Sequence, residues 1–222
     1  MSSKTKINIT FILPTLVAGG AERVISFLAQ NLDTEKFNTT LLITGHKKDA
    51  VYTVKNINVE FLEKKRVFNA VFQLFTYLRT HKPDVVLSSI GHLNTVMGLM
   101  SPCFPKTKFM VREASVVSAM NGVGQANKPV KMSSKLRSIM ANLSYKLVDN
   151  IICQSEDMAH DFATVYKVPI QKIAIINNPI TRTTPLLKTK EPSSTIAKFI
   201  TVGRLSEEKG HLRILKILSK KI

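Results

Sequence analysis

Two glycine-containing loops carry residue types that could bind phosphate groups. In the first, Gly19 and Gly20 precede a predicted helix, and Glu22 and Arg23 lie in its first turn. Amide groups at a helix N-terminus have no partner inside the helix, and glycine lets an anion approach them closely. The spacing fits an anion site, and it fits equally well an arrangement in which the glycines do no more than make the turn. It is not the dinucleotide fingerprint, which requires Gly-x-Gly-x-x-Gly.

The second loop, residues 203–210, places Arg204 and Lys209 five residues apart around a turn. A guanidinium and an ammonium group at this spacing could converge on one diphosphate. As isolated charges they would instead be solvated surface cations. The loop alone leaves both interpretations open.

The elements that would position these loops alternate between strands and helices. The patterns predict strands at residues 7–13, 39–44, 59–62, 85–87, 108–111, 150–154 and 173–176, with helices at 21–32, 67–81, 93–100, 130–147 and 156–166. Strands that are apolar on both faces, such as 85–87, belong in a parallel sheet covered by helices on both sides. The fold class predicted is a doubly wound, Rossmann-like α/β domain with a mostly parallel sheet.

The amino-acid composition changes near residue 180. Residues 1–180 are predicted to form one domain, and residues 181–197, rich in Thr, Pro and Lys, form a linker. In residues 198–222 the pattern predicts a strand at 199–202, a turn and a short helix. One strand and one helix cannot bury their apolar faces alone, so this part is expected to be the start of a second domain.

Composition limits the function classes. The 32 Lys and Arg residues exceed the 15 Asp and Glu residues and give a net charge of +17, which attracts phosphate-bearing partners. The lysines are scattered in short pairs such as Lys47-Lys48 and Lys64-Lys65 without a nucleic-acid-binding motif, so no nucleic acid partner is expected. Cys103 and Cys153 fit neither a disulfide framework nor a zinc site, which favours a reducing cytoplasm.

The motifs occur in the order seen in glycosyltransferase family 4, which the chain resembles over nearly its whole length. The matching strings are Gly19-Gly20-Ala21-Glu22-Arg23-Val24, Pro83-Asp84-Val85-Val86, Val111-Arg112-Glu113, Ile176-Asn177-Asn178-Pro179 and Val202-Gly203-Arg204-Leu205 through Lys209-Gly210. Members of that family are retaining, nucleotide-sugar-dependent enzymes of the GT-B fold. The resemblance implies that residues 1–180 form the acceptor-side domain and that the nucleotide-sugar-binding domain begins after the linker.

The resemblance also implies roles for individual residues. The donor-binding residues would be Gly19, Gly20, Asn178, Arg204 and Lys209. Glu22 and Arg23 would bind the acceptor, and Arg112 and Glu113 would line the reaction centre as catalytic residues. For Glu113 an ordinary acid paired with Arg112 is an equal alternative. No metal and no cofactor are expected, because Arg204 and Lys209 would stabilise the departing nucleoside diphosphate.

The implied reaction is the transfer of a sugar, with retention, from a UDP- or GDP-linked donor to a glycan or lipid-linked acceptor. The implied pathway is the synthesis of a bacterial surface polysaccharide, lipopolysaccharide or capsule. The pair of glutamates that the family carries further along is absent after Gly210. The chain is therefore expected to be truncated and weakly active or inactive alone. The alternatives are a non-catalytic remnant that binds an acceptor or a partner subunit and, less favoured, a basic nucleic-acid-binding protein.

A membrane partner is a further hypothesis. The predicted helix at 130–147 has a row of apolar residues with basic residues around it: Met132, Leu136, Ile139, Met140, Leu143 and Leu147. Such a helix could lie on anionic lipid, which would make the protein peripheral at the inner face of the cytoplasmic membrane. The other interpretation is that the apolar row packs on the sheet.

Overall fold

The computed structural model describes residues 5–118, 132–179, 199–203, 205 and 209–219. The chain divides into two compact units, Met1–Ser118 with Pro129–Pro179 and Ala119–Lys128 with Ile180–Ile222. The strands that the structure describes all belong to the first unit.

The first unit is a three-layer α/β structure. Its strands are β1 (Ile7–Leu13), β2 (Phe37–Ile43), β3 (Asn58–Phe61), β4 (Val85–Ser89), β5 (Lys108–Arg112), β6 (Asn150–Cys153) and β7 (Ile173–Ile175). Its helices are α1 (Gly20–Gln30), α2 (Val67–His81), α3 (Gly91–Met100), α4 (Met132–Leu147) and α5 (Glu156–Tyr166). The strands form one sheet in the order β3-β2-β1-β4-β5-β6-β7, and every pair is parallel. The predicted fold class is confirmed.

The core lies on both faces of this sheet because successive strand residues point to opposite sides. In β1, Phe11 and Leu13 join the cluster under α1, whereas Ile12 between them joins the cluster under the other helices. All three side chains are buried. Burial on both faces explains why the central strands are apolar without alternation.

Helix α4 buries a different face from its most apolar one. Ser144 and Tyr145 lie on the buried face of α4, whereas Leu136 and Ile139 of the apolar row are 58% and 64% exposed. The reason is a close approach to α3: a Cβ added to Gly98 would lie 2.4 Å from the Ser144 carbonyl oxygen. The interpretation in which the apolar row of α4 packs on the sheet is therefore wrong.

In the second unit the structure describes one helix, α6 (His211–Leu218). Residues 199–202 were predicted as a strand, but they lie outside any ladder. A strand needs a neighbouring strand for its backbone hydrogen bonds, and no such neighbour occurs in the described part of this unit.

Candidate functional site

The polar residues that follow the strands meet at one edge of the sheet. Because all the strands are parallel, their carboxyl ends share this edge, where α/β proteins usually bind ligands. Gly20 follows β1, Arg112 ends β5, Gln154 follows β6 and Asn178 follows β7. These four residues line one cavity of about 300 Å³, called the smaller cavity below. Its other lining residues are Ala21, Arg23, Val24, Ala114 and Pro179.

Arg112 presents a buried cation to the smaller cavity. Its side chain is almost entirely enclosed, since the residue is 3% exposed. One guanidinium nitrogen, Nη2, donates to Oδ1 of Asn178, whose Nδ2 donates to Oε1 of Gln154 at 2.8 Å. The other, Nη1, has no hydrogen-bond partner among the described residues. Burial lowers the pKa of Arg112, while the Glu113 charge opposes that shift, and arginine remains cationic in either case. Arg112 therefore brings to the wall of the smaller cavity a buried cation with one nitrogen that no described residue satisfies.

The N-terminus of α1 forms another wall of the smaller cavity. Gly19 is the N-cap and offers no side-chain acceptor to the first amide groups of the helix. A Cβ added to Gly19 would lie 2.1 Å from Oε2 of Glu22, whereas one added to Gly20 would meet nothing within 4 Å. Gly19 therefore makes room for a protein carboxylate, and Gly20 leaves the helix end open.

Glu113 lies under the site rather than in it. Its carboxylate is buried and lines neither of the two cavities described here. Oε1 accepts hydrogen bonds from Tyr145 Oη at 2.6 Å and from Asn94 Nδ2 at 2.7 Å. Burial raises the pKa of Glu113, and these two hydrogen bonds and the charge of Arg112 oppose the shift only in part. This placement favours a positioning role, in which Glu113 holds Tyr145 and Asn94, over contact with reacting atoms.

The raised pKa of Glu113 predicts a pH dependence of stability. A folded pKa above the ordinary value of 4.5 means that the group stabilises the fold most below pH 4.5 and loses that contribution as pH rises through the folded value. Glu113→Gln removes this loss. We expect the wild type to lose free energy of unfolding relative to the variant as pH rises from 4.5. Urea unfolding of both proteins across this pH range measures the difference. Parallel pH profiles for the two proteins would contradict the buried, protonation-linked role.

A larger cavity of about 790 Å³ opens at the same edge of the sheet. The side chain of Glu22 lines it, and Oε1 of Glu22 accepts a hydrogen bond from Thr15 Oγ1 at 3.1 Å. Its charged lining residues besides Glu22 are Lys64, Lys65, Arg66 and Arg137. Glu22 and Arg23, which the resemblance assigns together to the acceptor, thus line different cavities.

The sequence patterns did not single out four lining residues of the two cavities: Lys64, Lys65, Arg66 and Gln154. Lys64 and Lys65 formed one of several scattered lysine pairs in the sequence. Together with Arg66 they follow β3 after only two intervening residues and hence lie at the carboxyl edge. Gln154 is likewise the first polar residue after β6. Position after a strand of a parallel sheet was the signal that could have found all four residues.

Two predicted site residues lie in the second unit. Arg204 falls outside the described residues, and Lys209 is exposed beside α6. Within the described ranges, no three His, Cys, Asp or Glu side chains come close enough together to hold a metal ion. None of the described helices is both long and apolar enough to cross a bilayer.

Solved structures with the same fold include enzymes of two kinds. HepE from Anabaena in complex with UDP matches with a TM-score of 0.57 and 14% identity, over 78% of this chain and 44% of that one. The lipopolysaccharide outer core galactosyltransferase WaaB has a TM-score of 0.57 and 15% identity, over 80% and 47%. UDP-GlcNAc 2-epimerase from Neisseria meningitidis, bound to UDP-GlcNAc, matches with a TM-score of 0.54 and 14% identity, over 78% of this chain and 47% of that one. The chain spans less than half the length of these proteins, and the likeness shows the fold alone.

Sequence comparison identifies the family. No curated protein sequence matches the chain. A family model, described as Glycosyltransferase Family 4, matches residues 18–183, which is well over half of the 222 residues. This stretch includes α1, Arg112 and Asn178, the residues that form the smaller cavity. The chain therefore belongs to glycosyltransferase family 4, as its motifs implied.

Proposed function

We propose that this chain takes part in transferring a sugar from a nucleotide-sugar donor to a glycan or lipid-linked acceptor, with retention, in surface polysaccharide synthesis. The observation that carries the proposal is buried Arg112, whose Nη1 has no hydrogen-bond partner among the described residues. This residue lines a cavity together with the open N-terminus of α1. HepE, which has the same fold, was solved with UDP, a nucleoside diphosphate of the kind such a site would take. Two free cysteines fit a cytoplasmic location.

In this proposal the smaller cavity holds the diphosphate of the donor. Negative charge on the diphosphate grows as its bond to the sugar breaks, so a fixed cation and fixed amide dipoles stabilise the transition state more than the ground state. Arg112 supplies the cation and α1 supplies the amide groups. Burial strengthens both interactions because little water competes with them. Arg204 and Lys209, which the family resemblance assigns to the donor diphosphate, are proposed to bind it as well, and such cations would make a metal ion unnecessary.

The acceptor is proposed to enter the larger cavity. The first turn of α1 contributes to both cavities, with Glu22 on the larger and Arg23 on the smaller. An acceptor hydroxyl could therefore donate to the Glu22 carboxylate while the donor lies on the other side of the same helix end. Tyr145 lines the larger cavity and donates to Glu113, which adjoins Arg112, so one hydrogen-bonded network supports both sides.

The test of the donor site compares two glycines that both begin a helix. Gly20 lies in the smaller cavity and Gly91 in the larger, and an added Cβ clashes with nothing at either position. We expect Gly20→Ala to weaken binding of UDP about tenfold, because the methyl group separates the diphosphate from the amides of α1. Gly91→Ala should leave UDP binding unchanged. Isothermal titration of UDP into both variants makes the comparison. Unchanged affinity in Gly20→Ala would contradict the assignment of the diphosphate to this cavity.

A further inference from the structure

Gln154 bridges the end of β5 and the segment that follows β7. Its side-chain Nε2 donates to the main-chain carbonyl of Glu113 at 3.0 Å, and its Oε1 accepts from Nδ2 of Asn178 at 2.8 Å. Oδ1 of Asn178 in turn accepts from Nη2 of Arg112. Because Arg112 and Glu113 are consecutive in the chain, these three hydrogen bonds close a ring.

The chemistry of the two ends fixes the direction of every hydrogen bond in this ring. A guanidinium can only donate, so Asn178 must turn its oxygen towards Arg112 and its nitrogen towards Gln154. A main-chain carbonyl can only accept, so Gln154 must turn its nitrogen towards Glu113. Both requirements are met at once. Position 154 therefore needs a side chain that donates with one atom and accepts with another, which an ionised acid, an ammonium group or an apolar side chain cannot do.

The ring completes the fixation of Arg112, whose backbone is already held. The Arg112 carbonyl accepts from Ser89 Oγ at 3.2 Å and from Asn94 Nδ2 at 3.1 Å, which secures the main chain at the end of β5. The guanidinium depends on Asn178, which is itself an exposed residue. An exposed amide side chain rotates readily unless a partner holds it, and Gln154 is that partner.

We propose that Gln154 is a positioning residue of the donor site, which holds Asn178 and, through it, the guanidinium of Arg112 in the orientation that meets a diphosphate. Gln154 lines the smaller cavity, but both polar atoms of its side chain are engaged with the protein. It therefore acts through Arg112 rather than by its own contact with a ligand. The inference rests on the proposed function in one respect, that the anion bound beside Arg112 is the diphosphate of the donor.

The first test uses nuclear magnetic resonance on the ¹⁵N-labelled chain without ligand. A guanidinium whose Nη2 is held gives separate signals for its two Nη groups, whereas rotation about the Nε–Cζ bond averages them. We expect separate Arg112 signals in the wild type and one averaged signal in Gln154→Met, which keeps nearly the same volume without either hydrogen bond. Their loss in Arg112→Lys identifies the signals. An averaged signal in the wild type, or separate signals in Gln154→Met, would overturn the proposal.

Gln30→Met is the matched control. Gln30 is half-buried like Gln154, donates from Nε2 to the Ser26 carbonyl at 2.9 Å and accepts at Oε1 from the Lys55 amide at 2.7 Å. It is the last residue of α1, whereas the first turns of that helix line the smaller cavity. The two variants lose equivalent hydrogen bonds and should have similar melting temperatures. Release of Arg112 in both would show a general loosening of the fold and would contradict the specific role of Gln154.

Isothermal titration with UDP measures the consequence for binding. Gln154→Met should weaken UDP binding about fivefold, because the ligand must then order the Arg112 side chain itself. The same substitution in an Arg112→Ala protein should add less than about a twofold loss, since Arg112 is no longer there to be positioned. Losses that multiply in the double variant would mean that Gln154 contacts the ligand directly, and they would overturn the positioning role.

Failure of this inference is distinct from failure of the proposed function. A wild type that does not bind UDP would remove the donor diphosphate from the smaller cavity, while the ligand-free spectra would still decide whether Gln154 holds Arg112. A wild type that binds UDP, with neither release of Arg112 nor weaker binding in Gln154→Met, would remove the inference alone. Asn178→Ala breaks the next hydrogen bond of the ring at an exposed position and should release Arg112 in the same way.

Discussion

Arg112→Ala is expected to weaken UDP binding about 100-fold. Arg112 lines the smaller cavity from a buried position, and its Nη1 has no partner among the described residues. A charge-assisted hydrogen bond from this guanidinium to a bound anion would contribute about 2–3 kcal/mol. The effect is large because the side chain is already held: its Nη2 is fixed by Asn178, and little conformational entropy remains to be lost on binding. Isothermal titration with UDP measures the difference.

Two further variants test the explanation for Arg112. Arg112→Lys keeps the charge but loses the planar fork, so it should recover only part of the affinity. Arg79→Ala removes an exposed arginine from the last turn of α2 and should leave UDP binding unchanged. Because Arg112→Ala also leaves the Asn178 oxygen without its donor, the melting temperature must be measured alongside. Full affinity for UDP in a folded Arg112→Ala protein would exclude the anion site that we assign.

Gly98→Ala is expected to lower the free energy of unfolding by about 3 kcal/mol. The new methyl group would lie 2.4 Å from the Ser144 carbonyl oxygen and 2.8 Å from the carbonyl carbon, and these backbone atoms cannot rotate away. Helices α3 and α4 would have to move apart. Tyr145, the next residue of α4, would then be displaced from Glu113.

The sign of the Gly98 effect makes the test decisive. An alanine in a helix interior normally stabilises the helix by up to about 1 kcal/mol relative to glycine, so a neutral or stabilising result would contradict close packing. Urea unfolding measures the change. Gly91→Ala in the same helix is the matched control, because its Cβ would come no closer than 3.8 Å to Tyr145 Oη.

Much of the sheet could be predicted from hydrophobic runs of strand length. β1 and α2 begin and end at the predicted residues, and the remaining strands of the sheet differ by one or two residues. Strands that are buried on both faces require uninterrupted apolar sequence, so the signal is local and strong. The predicted strand at 199–202 failed because a strand also depends on a neighbour, which a local pattern does not contain.

The site was harder to predict because it is assembled from distant parts of the chain. Gly20, Arg112 and Asn178 were identified from separate motifs, and the parallel sheet brings them to one cavity. Glu22 and Arg23 are adjacent in sequence yet line different cavities, since successive helix residues are rotated by roughly 100°. Lys64 and Lys65 could be assigned to the larger cavity only from their position after β3 in the folded sheet.

The sequence by itself determined the class of fold, the order of its elements, the family and the glycine loop that opens α1. Periodicity and short motifs are local properties of the sequence, so they can be identified without knowing which residues are neighbours in the folded chain. The tertiary structure decided the rest. Glu113 is buried and accepts a hydrogen bond from Tyr145, Arg112 keeps one nitrogen without a partner among the described residues, and the described side chains of the apolar row of α4 are exposed. Burial and partnership depend on contacts between residues far apart in the chain, so only the folded molecule fixes them.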